Sequence, residues 1–217
     1  MTPKLRLCAA SALLAIAAAL PAGAATMTVF EETFDAENGG MSRLNYDGFA
    51  QFGVSSGTVD LIASGGFGIA CAGGTGVCVD TDGSTGDAGR LLSGAISFLA
   101  GTLYTLSFDV SGNQRSAASD ALEFGITSGL LSGETITLAG NAPFQTVARS
   151  FTPLAGASGS IFFEGAGGDN LGLILDNVRL TATAENGGPG PSPIPLPAGL
   201  PLLLAGLAAL GIARRRG

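Results

Sequence analysis

The chain has 217 residues, 35 of them glycine, with 12% charged residues and a formal net charge of −7. It contains no histidine, which excludes Ser-His-Asp and Cys-His relays, histidine-ligated zinc or iron, and an imidazole titrating near neutral pH. The ends hold five of the ten basic residues (Lys4, Arg6 and Arg214 to Arg216), so residues 31–185 set five arginines against all 17 acidic residues, a net −12 that repels nucleic acid and anionic membrane.

In chain order, Lys4 and Arg6 open onto an apolar run from Leu7 to Leu20, followed by Pro21-Ala22-Gly23-Ala24-Ala25. A basic start, an apolar middle shorter than the ~20 residues of a spanning helix, and small residues at an Ala-x-Ala site predict a Sec signal peptide over residues 1–24. Its partners are the Sec translocon and signal peptidase, and Cys8 leaves with it.

Residues 25–184 read as one all-β domain. Leu103 to Val110 alternates, with Tyr104, Leu106, Phe108 and Val110 on one face and mostly polar residues on the other. Leu122, Phe124 and Ile126 alternate likewise, and Gly129 with Ser132-Gly133 supplies turn chemistry after them. Further strands are expected at 28–34, 48–54, 58–63, 91–98, 135–138, 146–151, 160–164 and 172–181. Short strands with turn signals between them and no helical period predict an antiparallel β-sandwich of jelly-roll type.

Cys71 and Cys78 flank a Gly-rich loop, and in an oxidising compartment the two are expected to pair. Asp80-Thr81-Asp82-Gly83-Ser84-Thr85-Gly86-Asp87 is the densest acidic loop. It is no EF-hand, because Leu91 stands at the twelfth position where the bidentate Glu belongs. Two readings stand: a solvated turn whose carboxylates cap backbone amides, or a calcium loop through Asp80 and Asp82 with help from Asp60. In the last strand Ile174, Asp176, Val178 and Leu180 share a parity, placing a carboxylate among apolar neighbours unless a bulge at Asp176-Asn177 turns it outwards. Sugar contact would fall to Tyr46 as the better-exposed aromatic, and to polar loop residues including Asn113 and Arg115. For the segment Asn113-Gln114-Arg115 a polar turn and an Arg–carboxylate pair are the alternatives.

Asn186-Gly187-Gly188-Pro189-Gly190-Pro191-Ser192-Pro193 defeats helix and sheet alike, so residues 185–193 read as a linker. Ile194-Pro195-Leu196-Pro197-Ala198 follows, then an apolar stretch from Leu200 to Ala213 and Arg214, Arg215 and Arg216. With residues 194–199 the apolar part reaches ~30 Å, so a single C-terminal transmembrane helix is expected, held by the arginines as a stop-transfer signal.

This tail resembles the VPLPA-CTERM class of PEP-CTERM sorting signals, with Ile194 where that class usually has Val and no Pro-Glu-Pro present. The resemblance implies that an exosortase recognises Ile194 to Ala198, cuts nearby and passes the protein to the surface of a Gram-negative cell; an uncut membrane anchor is the alternative. Tyr104 to Arg115, Val79 to Gly86 and Leu175 to Leu180 are similar to surface modules of PEP-CTERM proteins that look like galactose-binding jelly rolls. Carbohydrate-binding jelly rolls often tie first and last strands through a structural calcium, and the resemblance carries that role to Asp176 with Glu31, Glu32 or Asp35, Glu32 and Asp176 first. Against it stands an Asp176 satisfied by backbone or Arg hydrogen bonds.

Together these readings describe an exported, exosortase-sorted, non-catalytic surface or matrix protein whose domain engages extracellular polysaccharide. The alternative is an adhesive protein that binds proteins or itself, without a sugar ligand. A glycosidase would have to work through two carboxylates, and nothing marks a pair.

Overall fold

The computed structural model describes residues 25–184; the expected signal peptide, linker and sorting segment lie outside them. The described strands are β1 (Thr26–Glu32), β2 (Phe52–Ser56), β3 (Asp60–Ala63), β4 (Val77–Asp80), β5 (Arg90–Ser93), β6 (Ile96–Phe98) and β7 (Thr102–Ser111). They continue with β8 (Ser119–Ile126), β9 (Leu131–Ala139), β10 (Gln145–Phe151), β11 (Ala157–Gly159), β12 (Ile161–Gly165) and β13 (Ile174–Ala184). Among the described residues no helix is long and apolar enough to cross a membrane.

The strands form two antiparallel sheets. One has the order β10-β7-β13-β4-β3, with β1 also on β13; the other runs β2-β5-β12-β8-β9, and β6 and β11 make a small ribbon. The inward face of β7 is the one its alternation predicts: Tyr104, Leu106, Phe108 and Val110 are all buried. Phe108 meets Phe124 and Phe163 of the opposite sheet edge to face, with centroids 4.8 and 5.0 Å apart. Side chains of this size contribute about 1.5–3 kcal/mol each on full burial, so this seam joins the sheets into a β-sandwich.

Several expected boundaries move. The stretch 91–98 is two strands, β5 and β6, divided at Gly94-Ala95 and belonging to different sheets. Ser132-Gly133 lies inside β9 rather than in a turn, because a residue without a side chain leaves room for Glu123 across the pair, whose carboxylate a Cβ at Gly133 would strike. The chain reverses instead at residues 127–130. Strands β4 and β11 have no counterpart in the sequence reading, β4 because it follows directly on the Gly-rich cysteine loop.

Strand β13 organises the six-stranded sheet. One edge pairs with β7 throughout, while the other is shared, with Ile174 and Leu175 on β4 and Val178 to Thr183 on β1. At the changeover β13 spends three steps, Asp176 to Arg179, where β7 spends two, Asp109 to Ser107. This bulge adds a residue and flips the side-chain parity. Val178 and Leu180 face the main core, as does Leu175, whereas Ile174 joins a second cluster with Ile62, Ile69, Cys71 and Cys78.

Candidate ligand-binding groove

The second cluster is a roof. The Cys71–Cys78 disulfide is present, with Cα atoms 5.5 Å apart, and its loop folds over part of the outer face of the six-stranded sheet. Asp176 sits beneath it. The bulge does turn this carboxylate off the core face, but the roof covers it: Oδ2 accepts the Ala72 N–H at 3.0 Å and Oδ1 accepts the Asn177 N–H at 2.8 Å. Burial pushes its pKa up to about 7, against the pull of those two donors.

Where the roof stops, a groove of about 310 Å³ opens on the same face, lined by Glu31, Thr33, Ser107, Asp109, Thr146, Asn177, Val178 and Arg179. The bulge makes it. Asn177 adopts a left-handed backbone (φ 49°), a conformation that Asn tolerates better than most residues, and stands out from the sheet. Its Nδ2 donates to Asp109 Oδ2 at 2.9 Å, and the Thr146 hydroxyl donates to Asp109 Oδ1 at 2.6 Å. Arg179 donates to Thr28 Oγ1 at 2.6 Å and lies 3.9 Å from Glu31. The groove thus combines hydroxyls, an amide, carboxylates and a guanidinium on rigid strands, which suits a ligand that both donates and accepts hydrogen bonds.

The ligand residues expected from sequence lie elsewhere and are engaged internally. Tyr46 is half-buried on Phe49, with its hydroxyl 3.1 Å from Glu37 Oε2 and 2.9 Å from the Gly48 carbonyl. Asn113 is fully buried, its amide donating to Asp120 and Ser116 and its carbonyl accepting the N–H groups of Arg115 and Ser116. Arg115 pairs with Asp80, the Arg–carboxylate alternative, and also donates to the Asn170 carbonyl at 2.7 Å.

The two candidate calcium sites, Asp80 with Asp82 and Glu32 with Asp176, gather no group of three acidic side chains among the described residues. Glu32 accepts the Phe34 N–H at 2.7 Å, and Gln51 also approaches it. Burial raises its pKa. Asp80 is fully enclosed, holding Arg115 and the N–H groups of Gly172 and Asp82; burial pushes its pKa up to about 7 even against the Arg115 guanidinium. Gly172 is a glycine of necessity, since a Cβ there would strike the Asp82 amide nitrogen. Asp60, the suggested helper, caps Asn45 and Ser84 instead. Asp82 alone has both carboxylate oxygens buried without a hydrogen-bond partner among the described residues. Burial raises its pKa, while the backbone amides of Asp169, Gly168 and Asn170 face it and pull the other way. A calcium cage needs six to eight oxygens around one point. Among the described residues the one group of three or more Cys, Asp or Glu side chains with ligand atoms within 4.8 Å of one another is Cys71, Cys78 and Asp176, and two of those are spent in the disulfide. Acidic and cysteine side chains alone therefore make no such cage among the described residues.

The sequence matches no protein-family model and none of the curated proteins compared with it. Solved structures with a similar chain path include carbohydrate-binding and adhesin domains. The CBM22-1 and GH10 modules of a Clostridium thermocellum xylanase, complexed with xylohexaose, share 14% identity over 76% of this chain, which spans 30% of that chain, at a TM-score of 0.43. The CBM22-1 xylan-binding domain of a Paenibacillus barcinonensis protein shares 11% over 76% of this chain and 100% of its own, at 0.42. The K3 cleaved adhesin domain of Porphyromonas gingivalis Lys-gingipain shares 16% over 72% and 99%, at 0.39.

Proposed function

We propose that this chain is exported and sorted to the cell surface by an exosortase, and that its β-sandwich binds extracellular polysaccharide without catalysis. The outer-face groove carries the reading. Asp109 and Glu31 offer acceptors, Arg179 offers donors, and Thr33, Ser107, Thr146 and Asn177 offer both, a set matched to sugar hydroxyls. The disulfide supports an oxidising compartment, in keeping with the signal peptide read at residues 1–24. Asp80 and Asp176, whose pKa values burial pushes up to about 7, are enclosed and do not line the groove.

A glycan array probed with the whole chain tests the binding. The expected result is a bound polysaccharide class whose signal is lost in Arg179→Ala while the melting temperature holds. No glycan signal, with self-association in its place, would instead favour the adhesive reading. For sorting, intact mass of the native protein with and without its exosortase decides: a surface-exposed product that retains Arg214 to Arg216 would defeat the processing step.

A further inference from the structure

The end of the sandwich at which residues 25 and 184 lie carries no charge among the described residues. Residues 25–30, 91–106, 125–133, 150–163 and 180–184 contain no Asp, Glu, Lys or Arg. The fold gathers them: Thr26 pairs with Thr183, Thr102 with Ala184, Tyr104 with Phe151, and Phe98 with Ala157. The Gly101 N–H donates to the Pro153 carbonyl at 2.9 Å and the Ser128 hydroxyl to the Ser158 carbonyl at 2.9 Å, which brings the remaining turns to the same end. In a domain with 16 acidic and five basic described residues, this segregation leaves one surface that a lipid bilayer does not repel.

That surface is also apolar. Leu154 is 100% exposed, Met27 57%, Leu99 53% and Val29 36%, so four of the seven exposed large hydrophobics among the described residues lie here. Met27, Val29 and Leu99 line a groove of about 280 Å³ together with Ala25, Tyr104, Ala184 and others. Exposed apolar side chains grouped on a charge-free face mark a contact surface rather than chance exposure.

Chain continuity names the occupant. The groove wall includes Ala184, and Glu185 opens a stretch that runs through Pro193 to the apolar segment 194–213 and its three arginines. Nine linker residues span at most ~30 Å, so a C-terminal segment in the membrane keeps this end within reach of the lipid. We propose that the charge-free end rests on the bilayer into which the same chain's C-terminal segment inserts, with Met27, Val29, Leu99 and Leu154 in the interfacial region. This rests on reading residues 194–217 as membrane-inserting, and it describes the uncut chain, before an exosortase removes that segment. The tether keeps the local lipid concentration high, so a shallow apolar contact suffices.

The chain has no tryptophan, so one indole reports one position. The full chain carrying Leu99→Trp, and separately Asn141→Trp at the opposite end, is reconstituted into phosphatidylcholine vesicles with and without lipid spin-labelled near the headgroup end of the acyl chain. Flotation with the vesicles reports insertion of the tail; fluorescence reports docking. The proposal expects both variants to float, with L99W emission blue-shifted and quenched by the spin label and N141W unaffected. Adding Met27→Glu to L99W, at a side chain more than half exposed, reverses the shift and the quenching. Flotation with L99W neither shifted nor quenched overturns docking and leaves tail insertion standing. A blue shift without quenching overturns it as well, since the groove is then covered by protein, either the chain's own Pro-rich segment or a second copy. Absence of flotation overturns tail insertion and docking together.

Discussion

The two ends of this sandwich carry different chemistry on the same pair of sheets. At the tail-bearing end the turns are built from Gly, Ala, Ser, Thr and Leu, and contacts there are hydrophobic or between neutral groups. At the other end, and beneath the disulfide loop, carboxylates are drawn inside: Asp60, Asp80, Asp82 and Asp176 are all buried. The difference shows that the acidity of this chain is not only a solvated coat. Much of it is used as internal hydrogen-bond acceptors that pin long loops, with Asp60 holding residues 45 and 84 and Asp80 holding residues 115 and 172.

If that contrast holds, substitutions should cost most at the acidic end. Arg115→Ala leaves the enclosed Asp80 without its cation, a change expected to destabilise by about 3 kcal/mol. Urea denaturation measures it, and Asp80→Asn added to R115A should recover part of the loss. An R115A variant as stable as wild type would show that the Asp80 site is not held by charge. Next, Cys71→Ser with Cys78→Ser removes a short loop closure and uncovers Asp176, for a loss of about 2.5 kcal/mol in the same measurement. Stability unchanged by this pair would mean the roof is ornamental.

A third effect is visible as pH dependence. An unfolded Asp titrates near about 4, while folded Asp176 titrates at about 7. Between those values the folded state binds more protons than the unfolded one, so stability falls as pH rises through the window. Asp80, also pushed up to about 7, adds to the same slope. Melting scans from pH 4 to pH 8 should show the decline, and Asp176→Asn should remove about half of it; an equal slope in D176N would place the linkage elsewhere. The smallest change is expected at the charge-free end. Met27→Gln and Leu99→Gln remove exposed apolar surface only, and should leave the detergent-solubilised chain within about 0.5 kcal/mol of wild type.

The alternation in Leu103 to Val110 was enough to read the core face of β7, and the cysteine pairing was readable from an even pair in a Gly-rich loop. The groove was half readable. The polar parity of the same strand, Ser107 and Asp109, marks an outward face, and Asn177 in the last strand is a residue that tolerates left-handed backbone. What one sequence does not reveal is register. The bulge at Asp176 exists because β13 must serve β4, β1 and β7 at once, and that requirement involves strands separated by up to some 150 positions. For the same reason the sequence leaves Tyr46, Asn113 and Arg115 open as ligand contacts, with a polar turn and an Arg–carboxylate pair as alternatives for the last two, and only the fold shows that Glu37, Asp120 and Asp80 engage them.

The proposed saccharide site is the groove that the bulge opens, not the charge-free end. Calorimetric titration of the full chain with the array-identified polysaccharide tests this directly. Asn177→Gly keeps the left-handed backbone and removes the amide, and is predicted to weaken binding about tenfold, equivalent to about 1.4 kcal/mol, with Met27→Gln and Leu99→Gln binding as wild type. Unchanged affinity in N177G, or a loss confined to M27Q and L99Q, would contradict it.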